Sequence, residues 1–150
     1  MTINTPATSN AAAAGGAPAA RRSGLARTGI IAATVVAASA VNAVIAQIAL
    51  AAGADATFTP LTPDAYVFLT VIGVLLALAG WAVVRRTAAR PARLLRVLVP
   101  VVLLVSFVPD LTTAPNMAGS TTGGVIALAL MHITTAVIAV AGFRRALPVR

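Results

Sequence analysis

Few side chains in this sequence could take part in chemistry, and those few lie within or beside long apolar runs. His132 is the only histidine, Asp110 is one of three acidic residues, and Asn42 lies near the middle of the first apolar run. An ionisable side chain in hydrocarbon costs roughly 2.5–3.5 kcal/mol on insertion scales, so one that occurs there is a candidate for function. Histidine changes its charge near neutral pH, which suits proton exchange.

We therefore predict an intramembrane polar site formed by His132, Asp110, Asn42, Ser106 and Gln47. In the functional interpretation His132 exchanges protons or contacts a substrate, with Asp110 as its acidic partner. In the structural interpretation His132 makes a hydrogen bond between helices, and Asp110 lies at the headgroup boundary or caps the following turn. Asn42 and His132 lie at similar depths and could hydrogen-bond to each other.

Other kinds of site are disfavoured. Ser106, His132 and Asp110 are the residue types of a hydrolytic triad, but Ser106 and Asp110 are four residues apart on one helix, and no nucleophile turn is present. The chain has no cysteine, which excludes disulfides and thiolate chemistry. A single histidine gives a metal too few ligands. We therefore expect no catalytic residue, metal or cofactor.

The arginines predict how the chain is threaded through a membrane. They fall into three groups: before the first apolar run, between the second and third, and after the fourth. Because short arginine-bearing loops stay in the cytoplasm, one topology with both termini inside satisfies all three groups. Anionic lipid headgroups are their expected partners. The groups are Arg21, Arg22 and Arg27; Arg85, Arg86, Arg90, Arg93 and Arg96; and Arg144, Arg145 and Arg150.

The elements that must position the polar residues are four apolar segments, at about residues 28–52, 63–84, 94–111 and 124–143. Each is long enough to cross or nearly cross the hydrocarbon core of a bilayer. Joined by short connections, they predict an all-α integral membrane domain over residues 28–143, a four-helix bundle of up-down-up-down order. Residues 1–27 are predicted to be a disordered cytoplasmic tail, and residues 144–150 a short basic one.

The first segment has a rival interpretation as a signal peptide. Arg21, Arg22 and Arg27 imitate the charged start of such a peptide, and Ala54-Asp55-Ala56 resembles a cleavage site. The apolar region of a typical signal peptide is about 7–15 residues long, and this segment is longer. Its length favours an uncleaved helix.

The second segment carries signals for a helix start and for packing. Thr62, Pro63 and Asp64 suit an N-cap, a first helical position and the positive end of a helix dipole. A stripe of small residues would let another helix approach closely, and Trp81 is expected in an aromatic belt at the membrane interface. The stripe consists of Gly73, Ala77 and Gly80.

The third segment contains Pro100 near its cytoplasmic end and Pro109 near its outer end. A proline inside a helix removes a backbone hydrogen bond, so each predicts a kink or a stop.

The composition sets the class of protein. With 59% hydrophobic and 9% charged residues, the chain is unlike soluble domains, which have roughly a quarter charged residues. The net charge of +8 would suggest nucleic acid in a soluble protein, but the aromatic and basic surface for that binding is missing. The frequent use of Ala, Val, Arg and Gly is typical of a GC-rich bacterial genome, which indicates the bacterial cytoplasmic membrane.

Three short motifs carry a family resemblance. Phe58-Thr59-Pro60-Leu61-Thr62-Pro63, Val108-Pro109-Asp110 and Leu130-Met131-His132 occur in this order within the four segments. Together they resemble an uncharacterised family of short four-helix membrane proteins from high-GC Gram-positive bacteria, a domain of unknown function. The resemblance covers residues 27–143. It implies the fold and the location, and it assigns no activity or catalytic residue.

Two hypotheses for function follow. The first is a non-enzymatic accessory or interaction subunit in the membrane, with a second copy or another membrane protein as its partner. The alternative is a small oligomeric transporter or proton-coupled permease that uses Asp110 and His132. Against the alternative, no acidic residue lies in the middle of a span, where proton-coupled exporters need one.

Overall fold

The computed structural model describes the backbone of residues 17–149 and the side chains of residues 24–149. Over that range it is all-helical, with four long helices joined by short loops. Each is long enough and apolar enough to cross a membrane, which confirms the expectation of four apolar helices. The helices are α1 (Ala17–Ala51), α2 (Pro63–Thr87), α3 (Pro91–Thr112) and α4 (Thr122–Ala146); single 3-10 turns lie at Thr59–Leu61 and Ala114–Asn116.

The first helix begins earlier than the sequence suggested. Residues 17–27 belong to α1, so the prediction of a disordered tail is wrong for them, and residues 1–16 lie outside the described residues. Alanine, leucine and arginine are strong helix formers, and Pro18 suits the first turn, where its missing N–H is not needed. Because the low sequence complexity of this region suggested disorder, the predicted start of the first helix lies too late in the sequence.

Both prolines inside α3 are accommodated, because the helix continues through Pro100 and Pro109 to Thr112. At the start of α2, Pro63 takes the first helical position after Thr62. The Thr62 hydroxyl donates to the Thr59 carbonyl at 2.8 Å, so its side chain does not cap α2. A side-chain cap does form on α4, where the Gly124 amide donates to Thr121 Oγ1 at 3.0 Å.

The buried apolar side chains form two clusters. The loop-side cluster lies under the loops that follow α1 and α3, and the arginine-side cluster lies near the ends of the helices that carry arginines. The loop-side cluster comprises Ala46, Phe58, Leu61, Tyr66, Ala114, Ala127, Leu128 and Met131. The arginine-side cluster comprises Val74, Trp81, Val84, Leu95, Ala139 and Phe143.

The most extensive helix pair is α1 with α4. Small residues make this packing close: Ala38 and Ala46 are fully buried on α1, and Ala139 is buried on α4. At Gly142 an added Cβ would collide with the side chain of Thr34. Small side chains of this kind let helix backbones approach closely in a membrane.

The predicted small-residue stripe on α2 faces away from the rest of the chain. Gly73, Ala77 and Gly80 are exposed, and a Cβ added at Gly73 or Gly80 would meet no other atom within 4 Å. The stripe therefore makes no contact with another helix of the described residues. Trp81 is buried instead, with 4% of its surface exposed, so it is not the lipid-facing belt residue that the sequence suggested.

The loops after α1 and α3 pack against each other around Phe58, which is fully buried. Gly119 has a φ of +70°, and a Cβ there would lie 2.5 Å from Thr57 Oγ1 and 2.8 Å from the Phe58 amide nitrogen. Phe58 also contacts the start of α4, where a Cβ on Gly124 would lie 3.0 Å from its ring. Glycine is therefore required where these two loops meet.

Candidate intramembrane polar site

The structure brings Asp110 and His132 together across the interface between α3 and α4. His132 Nδ1 lies 2.9 Å from Asp110 Oδ2. Asp110 lies inside α3, two residues before its end, so it does not cap the following turn. Only 9% of the Asp110 side chain is exposed, against 37% for His132. The carboxylate is thus enclosed by protein, and the imidazole forms part of the outer surface of the bundle.

The well-directed hydrogen bond of the His132 ring lies within its own helix, α4. His132 Nδ1 lies 3.0 Å from the Leu128 carbonyl, one turn earlier on α4. Asp110 Oδ2 is close to the same nitrogen but is buried without a well-directed hydrogen bond. The ring of Phe107 meets the imidazole edge to face, with ring centroids 6.1 Å apart. Leu128, Phe107 and Asp110 therefore fix one side of the ring.

The other ring nitrogen, Nε2, makes no polar contact with the described residues. A carbonyl oxygen only accepts hydrogen bonds, so the bond to Leu128 requires the proton to be on Nδ1. In the neutral ring, Nε2 then carries a lone pair and acts as an acceptor. Both polar contacts of His132 within the described residues use Nδ1.

Asn42 belongs to a separate polar layer, and the hydrogen bond to His132 that their similar depths allowed does not form. Its amide nitrogen donates to Thr70 Oγ1 at 2.8 Å and to Thr135 Oγ1 at 3.0 Å. The Thr134 hydroxyl lies 3.4 Å from the Asn42 oxygen. These bonds link α1, α2 and α4, and Asn42 is 3% exposed. The layer fills the bundle interior with hydrogen-bonded side chains.

Ser106 and Gln47 are not part of either group. The Ser106 hydroxyl donates to the Leu103 carbonyl at 2.6 Å on its own helix. A hydrolytic serine would instead bond to the histidine nitrogen opposite the carboxylate, so the described contacts do not assemble a triad. Gln47 is exposed on α1. Within the described residues, no cluster of three or more His, Cys, Asp or Glu side chains could hold a metal ion.

The sequence did not identify Thr70, Thr134 or Thr135 as hydrogen-bond partners of Asn42. The available signal for Thr70 was a hydroxyl between Leu69 and Val71 in an otherwise apolar stretch. A hydroxyl in such a stretch marks a side of the helix that faces other protein. Threonine can also bond to its own backbone, so the signal does not identify the partner.

At the other end of the bundle the predicted arginines surround the described chain ends. All of those whose side chains the structure describes are exposed. Trp81 Nε1 donates to the Leu147 carbonyl at 3.0 Å and its ring packs on Phe143, with centroids 5.8 Å apart. The exposed arginines are Arg27, Arg85, Arg86, Arg90, Arg93, Arg96, Arg144 and Arg145; the side chains of Arg21, Arg22 and Arg150 lie outside the described residues.

A model for a family of unknown function matches residues 20–149, which include all four helices and the polar site. The chain belongs to this family, DUF6069. The expectation of an uncharacterised family is thereby confirmed. Comparison with curated proteins and with solved structures gives no match. Membership of DUF6069 assigns no role to His132 or Asp110, so a functional proposal depends on the geometry.

Proposed function

We propose that this DUF6069 protein is a non-enzymatic interaction subunit of a bacterial cytoplasmic membrane. It forms an up-down-up-down bundle with both termini in the cytoplasm, and it binds a transmembrane helix of a partner at His132. The partner is a second copy or another membrane protein. The observation that carries the proposal is the half-exposed imidazole with an unused Nε2 on the side of the bundle.

Within the described residues, Nε2 of His132 has no hydrogen-bond partner. In water an exposed imidazole nitrogen bonds to solvent, but hydrocarbon offers no partner, and an unpaired polar group there is costly. Asp110 is buried beside the ring, on the Nδ1 side, and cannot serve Nε2. A hydrogen-bond donor on a neighbouring helix would satisfy Nε2, and polar contacts of this kind join helices in membranes. Serine, threonine, asparagine or glutamine would suit.

The test compares two replacements of His132 in cells. Asparagine places an amide where Nδ1 is but removes the Nε2 acceptor, whereas glutamine reaches the Nε2 position. A photo-crosslinking residue at Ile133, which is exposed beside His132, should give a discrete adduct. The same residue at Leu76, exposed on α2, is the positional control.

We expect the Ile133 adduct to persist in His132→Gln and to be lost in His132→Asn, with equal amounts of folded protein. Equal adducts at Ile133 and Leu76, or adducts that ignore both replacements, would refute a specific contact at His132. The mass of the adduct separates a second copy from a different protein.

Proton-coupled transport is the second candidate, and the buried Asp110 carboxylate beside His132 is the observation that favours it. The filled polar layer around Asn42 opposes a path through a single bundle. Vesicles containing the purified protein, loaded with a pH-sensitive dye and given a pH gradient, decide between the two. We expect proton flux at the lipid background; a flux that Asp110→Asn abolishes would establish transport and displace the first proposal.

The proposal also covers the origin of the protein, its orientation in the membrane and its lipid partners. The residue composition and the motif resemblance support an origin in high-GC Gram-positive bacteria. The separation of arginines from the loops after α1 and α3 supports cytoplasmic termini. Ser106 bonds to its own helix rather than to His132, which supports a role without catalysis. Anionic headgroups, rather than nucleic acid, are the partners proposed for the arginines.

A further inference from the structure

We infer that a groove at the arginine-bearing end of the bundle binds one anionic glycerophospholipid. The inference rests on the membrane insertion proposed above. The groove lies between α3 and α4 and has a volume of about 560 Å³, within the range of roughly 300–1,000 Å³ typical of ligand-binding clefts. Trp81 from α2 and the residues after α4 complete its walls.

The groove is amphipathic in the way that a lipid requires. Val99 and Val140 supply an apolar wall that suits an acyl chain. Arg96 and Arg144 line the same groove, and both are exposed. Two guanidinium groups beside an apolar wall match a phosphate joined to hydrocarbon.

The charges of these two arginines are not neutralised by the described part of the chain. Within that part, the one close contact between a basic and an acidic side chain joins His132 and Asp110, and neither arginine takes part in it. Arg96 precedes Asp110 by about 21 Å along α3, at 1.5 Å per residue, and Asp55 and Asp64 lie at the start of α2 or in the loop before it. The counter-ion therefore lies outside the described residues, and the nearest anions at a cytoplasmic membrane surface are lipid phosphates.

Pro100 adds a polar feature to the same groove. Proline has no N–H, so the carbonyl of Arg96, four residues earlier, lacks its usual helical donor. A headgroup hydroxyl can donate to such a carbonyl, as water does at other unpaired backbone groups. A glycerol headgroup supplies both the anion and the hydroxyl, so phosphatidylglycerol is the appropriate probe.

The chain contains its own reporter for this site. Trp81 is the only tryptophan, and it lines the groove. Its hydrogen bond to the Leu147 carbonyl holds the residues after α4 in place as one wall. The full-length protein is placed in nanodiscs with increasing fractions of phosphatidylglycerol or phosphatidylcholine brominated on the acyl chains. Bromine near the indole quenches its fluorescence.

We expect brominated phosphatidylglycerol to quench Trp81 at a much lower fraction than brominated phosphatidylcholine. The double variant Arg96→Gln/Arg144→Gln should lose about 25-fold of this preference, since each of the two arginines contributes about five-fold and the two factors multiply. The matched control Arg85→Gln/Arg145→Gln removes the same charge from exposed positions that do not line the groove. Because salt screens the attraction between separated exposed charges, this control should change the preference by less than about two-fold. Circular dichroism checks the helix content of both.

Each contrary result has its own meaning. Equal losses in the two double variants would show diffuse attraction and overturn the site. Relief of quenching by inorganic phosphate would identify a free anion as the ligand and overturn the lipid. Equal quenching by the two lipids overturns the site but leaves membrane insertion intact, whereas no quenching by either overturns both. Native mass spectrometry of the unaltered protein should retain one phosphatidylglycerol per chain, and a graded series of adducts would contradict a single site.

Discussion

At the scale of single residues, the polar side chains differ in whether the described residues supply all of their hydrogen-bond partners. Asn42 is buried, and its amide group donates both hydrogens to hydroxyl groups on two other helices. His132 satisfies one nitrogen on its own helix and leaves the other at the surface. The hydrogen bonds of Asn42 join three helices of the chain, whereas Nε2 of His132 can accept a hydrogen bond from the partner proposed above.

Replacing Asn42 with alanine should destabilise the fold by about 1 kcal/mol, because hydrogen bonds between membrane helices contribute on average about 0.6 and at most about 1.7 kcal/mol. The measurement is the free energy of unfolding in mixed micelles. Gln47→Ala, on the exposed side of the same helix, is the control and should change it by less than about 0.5 kcal/mol. A coupling of zero between Asn42→Ala and Thr70→Val in a double-mutant cycle would contradict the observed bond.

A second prediction at this scale concerns pH and the loop after α1. The Thr57 backbone N–H and then its hydroxyl donate to Asp55, and they lower the pKa of that carboxyl below its ordinary value of 3.8. A lowered pKa means that the turn is stabilised at neutral pH and loses this contribution as the pH falls through the folded-state pKa. The Thr57 amide proton resonance should therefore titrate with a midpoint below 3.8. Asp55→Asn should abolish the titration, and a midpoint above 3.8 would exclude the bond.

At the scale of helices, the sequence predicted which segments are helical better than it predicted which of their sides face inward. Length and hydropathy are properties of one segment, so the four apolar helices could be recognised individually. The side that packs depends on the rotation of every neighbour. For this reason the stripe at Gly73 and Gly80 was assigned to packing although it is exposed, and Trp81 was assigned to lipid although it is buried.

The same distinction applies to the candidate site. The structure places Asp110 beside His132, which the sequence offered as one of two interpretations. Each residue lies in the half of its apolar segment that is nearer the loop after α3, and such a depth can be counted from the sequence. Asn42 lies at a depth near that of His132, but it bonds to threonines instead. Depth does not determine which helices are adjacent, and hydroxyl groups occur on all of them. The partners of an amide in a bundle therefore require the fold.

The packing of α1 on α4 leads to a prediction with a built-in control. Gly142→Ala should cost about 1–3 kcal/mol, because its Cβ would collide with Thr34. Thr34 is β-branched and its hydroxyl donates to the Ile30 carbonyl at 2.7 Å, so it cannot easily rotate away. Gly73→Ala has open space and should be neutral or stabilising by up to about 1 kcal/mol, since alanine favours helix. Unfolding free energies that rank these two variants in the opposite order would contradict the α1–α4 contact.

At the scale of the whole molecule, the two ends of the bundle differ in charge and in loop packing. The loops around Phe58 form one end, and exposed arginines form the other. Because the chain has no cysteine, single cysteines can be introduced anywhere without a background. The proposed orientation can therefore be measured on otherwise unaltered protein.

In intact cells an impermeant maleimide should label Ala56→Cys and Ala118→Cys, which are exposed in the loops after α1 and α3. It should label Thr87→Cys and Ala89→Cys, exposed between α2 and α3, only after the membrane is permeabilised. The reversed pattern would show inverted insertion. Labelling at Ala56→Cys without labelling at Ala118→Cys would show that α3 does not cross the membrane and would contradict four crossings.

The polar layer around Asn42 also determines how far the helices can slide along one another. Apolar faces in lipid discriminate weakly between neighbouring alignments, since one aliphatic side chain replaces another at little cost. A shift of α4 by one turn would bring Met131 or Ala139 to the place of Thr135, and the same shift of α2 would bring Tyr66 or Val74 to that of Thr70. Three of these four side chains cannot accept the amide, and the fourth is far larger than threonine. We therefore expect the hydrogen bonds of Asn42 to favour this register of the helices over registers shifted by one turn.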